Sequence, residues 1–127
     1  MNESEKSMLL DEFGKLIVGE VRDYCLTSGI KTVEGKMRSP ERVAIGEKLR
    51  HLSAEDKNII IELLSLTITD TIYELLHTLG YSAQVKLLIV DNGNEYDIKD
   101  IDEEVGAEIT FLENGWIQRF SKVEWPR

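Results

Sequence analysis

The chain predicts an α+β fold: three helices, the third of them long, central and buried, followed by a small antiparallel β-meander of two hairpins. Three observations lead there. Apolar residues recur at three- and four-residue spacing as far as Gly80. Alternation takes over between Val85 and Ile98. Asn92-Gly93 and Asn114-Gly115 are both tight-turn dipeptides. The version to compare is an all-helical domain with one C-terminal hairpin. With 127 residues and no linker or repeat, one domain is expected over 1–127, helical in 1–80 and hairpin-built in 81–127.

The first helix is expected to begin near Ser4 or Ser7 and run to Ser28, with Gly29 as its stop. Met8, Leu9, Phe13, Leu16, Ile17, Val21, Tyr24 and Cys25 form its apolar face. Gly14 and Gly19 lie inside it, where each costs about 1 kcal/mol of helix propensity, so they mark a close approach to the central helix or a bend. Lys31, Lys36 and Arg38 then make a basic loop. Ser39 and Pro40 start a second helix as N-cap and first-turn proline, ending near His51.

Ser53 N-caps the central helix, with Glu55 and Asp56 in its first turn and Gly80 as a left-handed stop. Between them, Ile59 to Leu79 supplies aliphatic residues around most of the circumference, which predicts burial on several sides. If Asn92-Gly93 is a type I′ turn, Ile89 faces Tyr96 and Leu87 faces Ile98, and that side covers the helices. Asp100 to Gly106 reads as a short turn or a single helical turn. In the second hairpin Ile109, Phe111, Trp116 and Phe120 share the core face, leaving Leu112 and Ile117 half exposed near its tip.

The net charge is −9, from 24 acidic and 15 basic residues, which argues against nucleic-acid and anionic-membrane binding. A basic protein is the natural complement. Cys25 is alone and the start, Met-Asn-Glu-Ser-Glu-Lys, has no signal-peptide character, so a soluble cytoplasmic protein, monomer or homodimer, is the expectation.

Chemistry is thinly signalled. Asp70, Glu74 and His77 share one helix face, but a di-metal bundle needs a second Glu-x-x-His unit that the sequence lacks, and a solvated stripe is the simpler reading. Those three residues are the alternative, a metal or enzyme site. Asp91 to Asp102 fails the calcium-loop pattern, because Tyr96 stands where glycine is required. Cys25 is expected to be buried and inert, His51 is suited to a helix end, and neither a GxGxxG nor a Walker pattern occurs. No cofactor, metal or catalytic residue is expected.

Charge carries the strongest signal. Between Asp91 and Glu113 nine acidic residues stand against Lys99 alone, a local charge of −8. Charged edges that prevent strand aggregation would explain it, and so would a docking surface for a basic partner. The candidate contact residues are Asp91, Glu95, Asp97, Asp100, Asp102, Glu103 and Glu104, with Tyr96, Leu112 and Ile117 as anchors.

The string Gly115-Trp116-Ile117-Gln118-Arg119-Phe120-Ser121 resembles the ending of a set of small acidic bacterial proteins, as do the helix start Leu52 to Lys57 and the run Leu75 to His77. In size, charge and single-domain build the chain is also similar to immunity proteins, which neutralise a toxin inside the cell that makes it. That resemblance implies a non-catalytic inhibitor covering the active site or substrate surface of a basic toxin, a nuclease being the first expectation. Immunity proteins share no common fold, so it assigns no residue. A dimerisation module using Leu112 and Ile117 is the third reading.

Overall fold

A computed structural model describes residues 1–123. Helix α1 (Glu3–Leu16) is N-capped by Asn2, whose side chain accepts the Glu5 N–H at 2.8 Å. It runs without a break through a π-helical segment, Ile17–Arg22, into α2 (Asp23–Val33). The Asp23 N–H donates to the Val18 carbonyl, five residues back, which is the π signature. Gly14, Val18, Arg22, Leu26 and Ile30 are all buried at four-residue spacing. In a regular helix with 3.6 residues per turn such a series drifts off its face, and the wider π turn reduces that drift.

The face that the rod turns inward overlaps the expected one only in part. Leu10, Phe13, Ile17 and Val18 reach the core, whereas Met8, Leu16, Val21, Tyr24 and Cys25 are exposed. Gly29 does not stop the helix. A Cβ there would lie 2.9 Å from Leu64, so it is a packing glycine, and the left-handed residue beyond the helix end is Gly35, at φ 73°. Gly14 is a close approach too, but to the C-terminal segment: a Cβ there would meet Trp116 at 2.6 Å.

Helix α3 (Pro40–Leu49) follows Ser39, and α4 (Ala54–Tyr81) follows Ser53, whose side chain accepts the Asp56 N–H at 3.1 Å as expected. α4 passes Gly80 in ordinary helical geometry and ends at Ser82 in extended conformation. It is buried along one face only: Ile61, Ser65, Thr69, Ile72 and Leu76 point inward, and Ile59, Leu63, Leu66 and Leu75 are exposed. At 28 residues it is long, but no helix among the described residues is both long and apolar enough to cross a membrane.

β1 (Leu88–Asp91) and β2 (Asn94–Asp97) form the first hairpin in the expected register, Ile89 opposite Tyr96, and Asn92 and Gly93 take φ values of 52° and 81° as a type I′ turn requires. The Ile98 N–H donates to the Leu87 carbonyl at 2.9 Å, and Leu87, Ile89 and Ile98 face the core. The chain then gives α5 (Ile98–Ile101), a 3₁₀ turn (Val105–Glu108) and α6 (Trp116–Phe120).

The second hairpin of the meander is thus absent from the described residues, and the mixed helix-and-sheet fold has five helices in place of three when Glu3–Val33 is counted as one rod. The reason lies at Asn114-Gly115. Asn114 is left-handed at φ 65°, but Gly115 is extended at φ −70° and starts α6. A Cβ on Gly115 would meet the Thr110 carbonyl at 2.6 Å, so this glycine answers a close approach instead of a type I′ turn.

Two apolar clusters result. One joins Val18, Ile72, Leu76, Ile98, Val105, Ile109, Trp116 and Ile117; the other joins Leu26, Ile30, Val33 and Ile61. Between them along the helix pair lies a polar layer. Arg22 donates from Nε to Thr69 Oγ1 (3.3 Å), from Nη1 to Asp23 Oδ1 (2.9 Å) and Ser121 Oγ (3.1 Å), and from Nη2 to Ser65 Oγ (3.0 Å).

Candidate functional site

Ser121 donates to Asp23 Oδ1 at 2.8 Å and the Lys122 N–H to Asp23 Oδ2 at 2.7 Å, so the buried ion pair ties the chain after α6 to the first rod. Burial lowers the Arg22 pKa and the neighbouring Asp23 carboxylate raises it in opposition. Every donor nitrogen of Arg22 and both oxygens of Asp23 are engaged internally. A centre so fully satisfied positions the fold, and it offers no free group for acid, base or nucleophilic work.

The residues of the alternative metal or enzyme reading do not converge either. Asp70 and Glu74 are exposed, while His77 is half-buried between Tyr73, stacked at 5.6 Å, and Tyr81 at 4.7 Å. Among the described residues no group of three His, Cys, Asp or Glu side chains could hold a metal ion. Cys25 is exposed, contrary to the buried position expected.

What the structure does assemble is an acidic surface on the hairpin and the turns after it. Asp91, Glu95, Asp100, Glu103 and Glu113 are exposed and form no ion pair among the described residues. Three others have local duties. Asp97 accepts the Lys99 N–H at 3.0 Å as the cap of α5 and lies 4.0 Å from Lys86. Asp102 accepts the Glu104 N–H at 3.0 Å, and the Tyr81 hydroxyl donates to Glu104. That last bond and the Glu104 charge raise the Tyr81 pKa, since both favour the protonated phenol.

The anchors separate. Leu112 is 73 % exposed beside the exposed Phe111. Ile117 is only 8 % exposed and belongs to the core, because α6 replaces the strand that would have carried it to a hairpin tip. Tyr96 is half-buried and lines a groove of about 510 Å³ between the hairpin tip and α1, together with Met8 and Leu9. Glu5, Glu12 and Asp91 stand around that groove, so its apolar lining carries acidic edges.

The α1 half of this groove escaped the sequence reading. Glu5 and Glu12, seven residues apart around Met8 and Leu9, were the signal for it, since that spacing returns to one helix face. Electrostatically the surface suits a cation-rich partner, and its Met and Tyr side chains suit an adaptable apolar contact. No protein family, curated protein or solved structure matches this chain.

Proposed function

We propose that the protein is a non-catalytic, immunity-type inhibitor that binds a basic bacterial toxin in the cytoplasm, a nuclease first among the candidates, and covers its active site or substrate surface. The observation that carries this reading is the run of nine acidic residues between Asp91 and Glu113, of which only Asp97 has an ion-pair partner among the described residues. A nuclease must present positive charge to phosphate, and a negative surface of this kind steers onto that charge and excludes the substrate. Affinity comes from apolar anchors beside the charge, and Leu112, Phe111 and the groove at Tyr96 provide them.

The test is capture from lysate of the native strain on the tagged protein, washed at low salt and eluted with rising salt. The expected result is one basic protein, released late, whose nuclease activity returns on release. Replacing Asp91, Glu95, Asp100, Glu103 and Glu104 by Asn or Gln should slow association and weaken inhibition. Unchanged binding of that variant at low salt would remove the acidic-surface reading.

A further inference from the structure

Helix α4 buries Ser65 and Thr69 along with Ile61, Ile72 and Leu76, and it also leaves a set of aliphatic side chains outward. Ile59, Leu63 and Leu66 are 58 %, 62 % and 47 % exposed. Their spacing of four and three residues puts them in one line along the helix, and Asp70 and Glu74 continue it. Single exposed aliphatic residues are ordinary, but three in helical register form a contiguous stripe.

Charge identifies what fits it. Glu55, Asp56, Glu62, Asp70 and Glu74 are all exposed around this stripe, and no Lys or Arg occurs anywhere from Asn58 to Val85. Tyr81, bonded to Glu104, brings the acidic turn against the far end of the same helix. A second copy of the chain would set two such acidic borders against each other, and an anionic lipid surface would be repelled for the same reason. A convex helical ridge with this spacing is complemented by the grooves of another helix.

We propose that the open face of α4 docks a cationic amphipathic helix of a partner protein, its aliphatic side chains packing on Ile59, Leu63 and Leu66 and its Lys or Arg residues meeting Glu62, Asp70 and Glu74. This goes beyond the inhibitor reading. It concerns a surface away from the hairpin, and it holds whether or not the partner is a toxin.

The experiment uses the full-length protein and two synthetic peptides: one with leucines at three- and four-residue spacing flanked by lysines, and a scrambled isomer of equal charge. Fluorescence anisotropy at low and moderate salt should show the amphipathic peptide binding, with the isomer weaker by roughly tenfold or more. The Leu63→Ser, Leu66→Ser double variant should lose a similar factor while keeping its circular dichroism and melting midpoint, both sites being exposed. The Asp70→Asn, Glu74→Gln variant should bind with a flatter salt dependence.

Equal binding of the two peptides would reduce the effect to bulk charge and overturn the proposal, as would wild-type affinity in the leucine variant. A dimer in sedimentation that the leucine variant dissolves would also overturn it, by assigning the face to a second copy. None of these readouts involves the toxin. Loss of inhibition in the hairpin variant with peptide binding intact would keep the two surfaces distinct.

Discussion

Arg22 and Asp23 hold their charges inside the protein, each polar atom met by a hydroxyl, a carboxylate or a backbone N–H, whereas Asp91, Glu95, Asp100 and Glu103 hold theirs in solvent with no cation in reach among the described residues. Both regions are strongly charged, and they differ in what the charge is free to do. A buried ion must be fully paired at the folding step, because desolvation is otherwise too costly, and nothing remains for a ligand. An exposed carboxylate contributes little to stability, so its charge is available to a partner. The contrast separates the part of this molecule that fixes the fold from the part that can recognise something.

The largest effect breaks the inner region. Arg22→Met leaves the Asp23 carboxylate, Ser65 and Thr69 without their central donor, and should cost about 3–5 kcal/mol in urea unfolding. Neutralising Glu95 or Asp100 should stay within about 0.5 kcal/mol in the same experiment. If the two substitutions cost the same, the distinction between the regions is wrong.

Next is Gly115→Ala, which attacks the chain that the Arg22 layer secures. The added methyl would meet the Thr110 carbonyl at 2.6 Å and the Leu112 carbonyl at 3.1 Å, both backbone atoms that cannot swing aside. A destabilisation of about 1–3 kcal/mol is expected, with weakened near-ultraviolet signal from Trp116. Had Asn114-Gly115 formed a type I′ hairpin, the dominant penalty would have been the left-handed φ; here Gly115 is extended and the penalty is steric.

That pair of dipeptides shows how far the sequence could be read. Asn92-Gly93 lies between strands whose alternating residues have a core to cover, so local turn chemistry and tertiary packing agree, and hairpin and register were legible. Asn114-Gly115 has the same local preference, but Trp116 must reach the space beside Gly14, edge-on to Phe13 at 5.8 Å, and a helical turn delivers it there. Arg22 was invisible because a charged residue is read as solvated until a partner is known, and its partners come from residues 65, 69 and 121. The outward leucines of α4 misled for the complementary reason: hydrophobicity shows that a residue can be buried, and only the neighbours decide whether it is. Of the candidate site, the acidic run and Leu112 were legible, while Ile117 was misplaced with its strand and the α1 side of the groove needed the three-dimensional contact.

Glu108 stands between the two regions and gives the smallest and most discriminating effect. It is half-buried, and desolvation, a hydrogen bond with Asp102 and the Asp102 charge raise its pKa; Arg119 opposes them and Asp11 adds to them. Asp102 Oδ2 beside it is buried without a hydrogen-bond donor, so a second full charge there is disfavoured. Because the folded pKa lies above the unfolded one, the associated stability is complete in acid, below the ordinary carboxylate value of about 4.3, and is lost as pH rises through the folded pKa. Glu108→Gln is neutral at every pH. It should therefore be more stable than wild type at neutral pH, and the advantage should shrink as both are titrated toward about pH 4 in parallel urea melts. A variant less stable than wild type at pH 7 would mean that Glu108 is ionised and paired with Arg119, which would place it with the satisfied interior charges and move the boundary between the two regions outward.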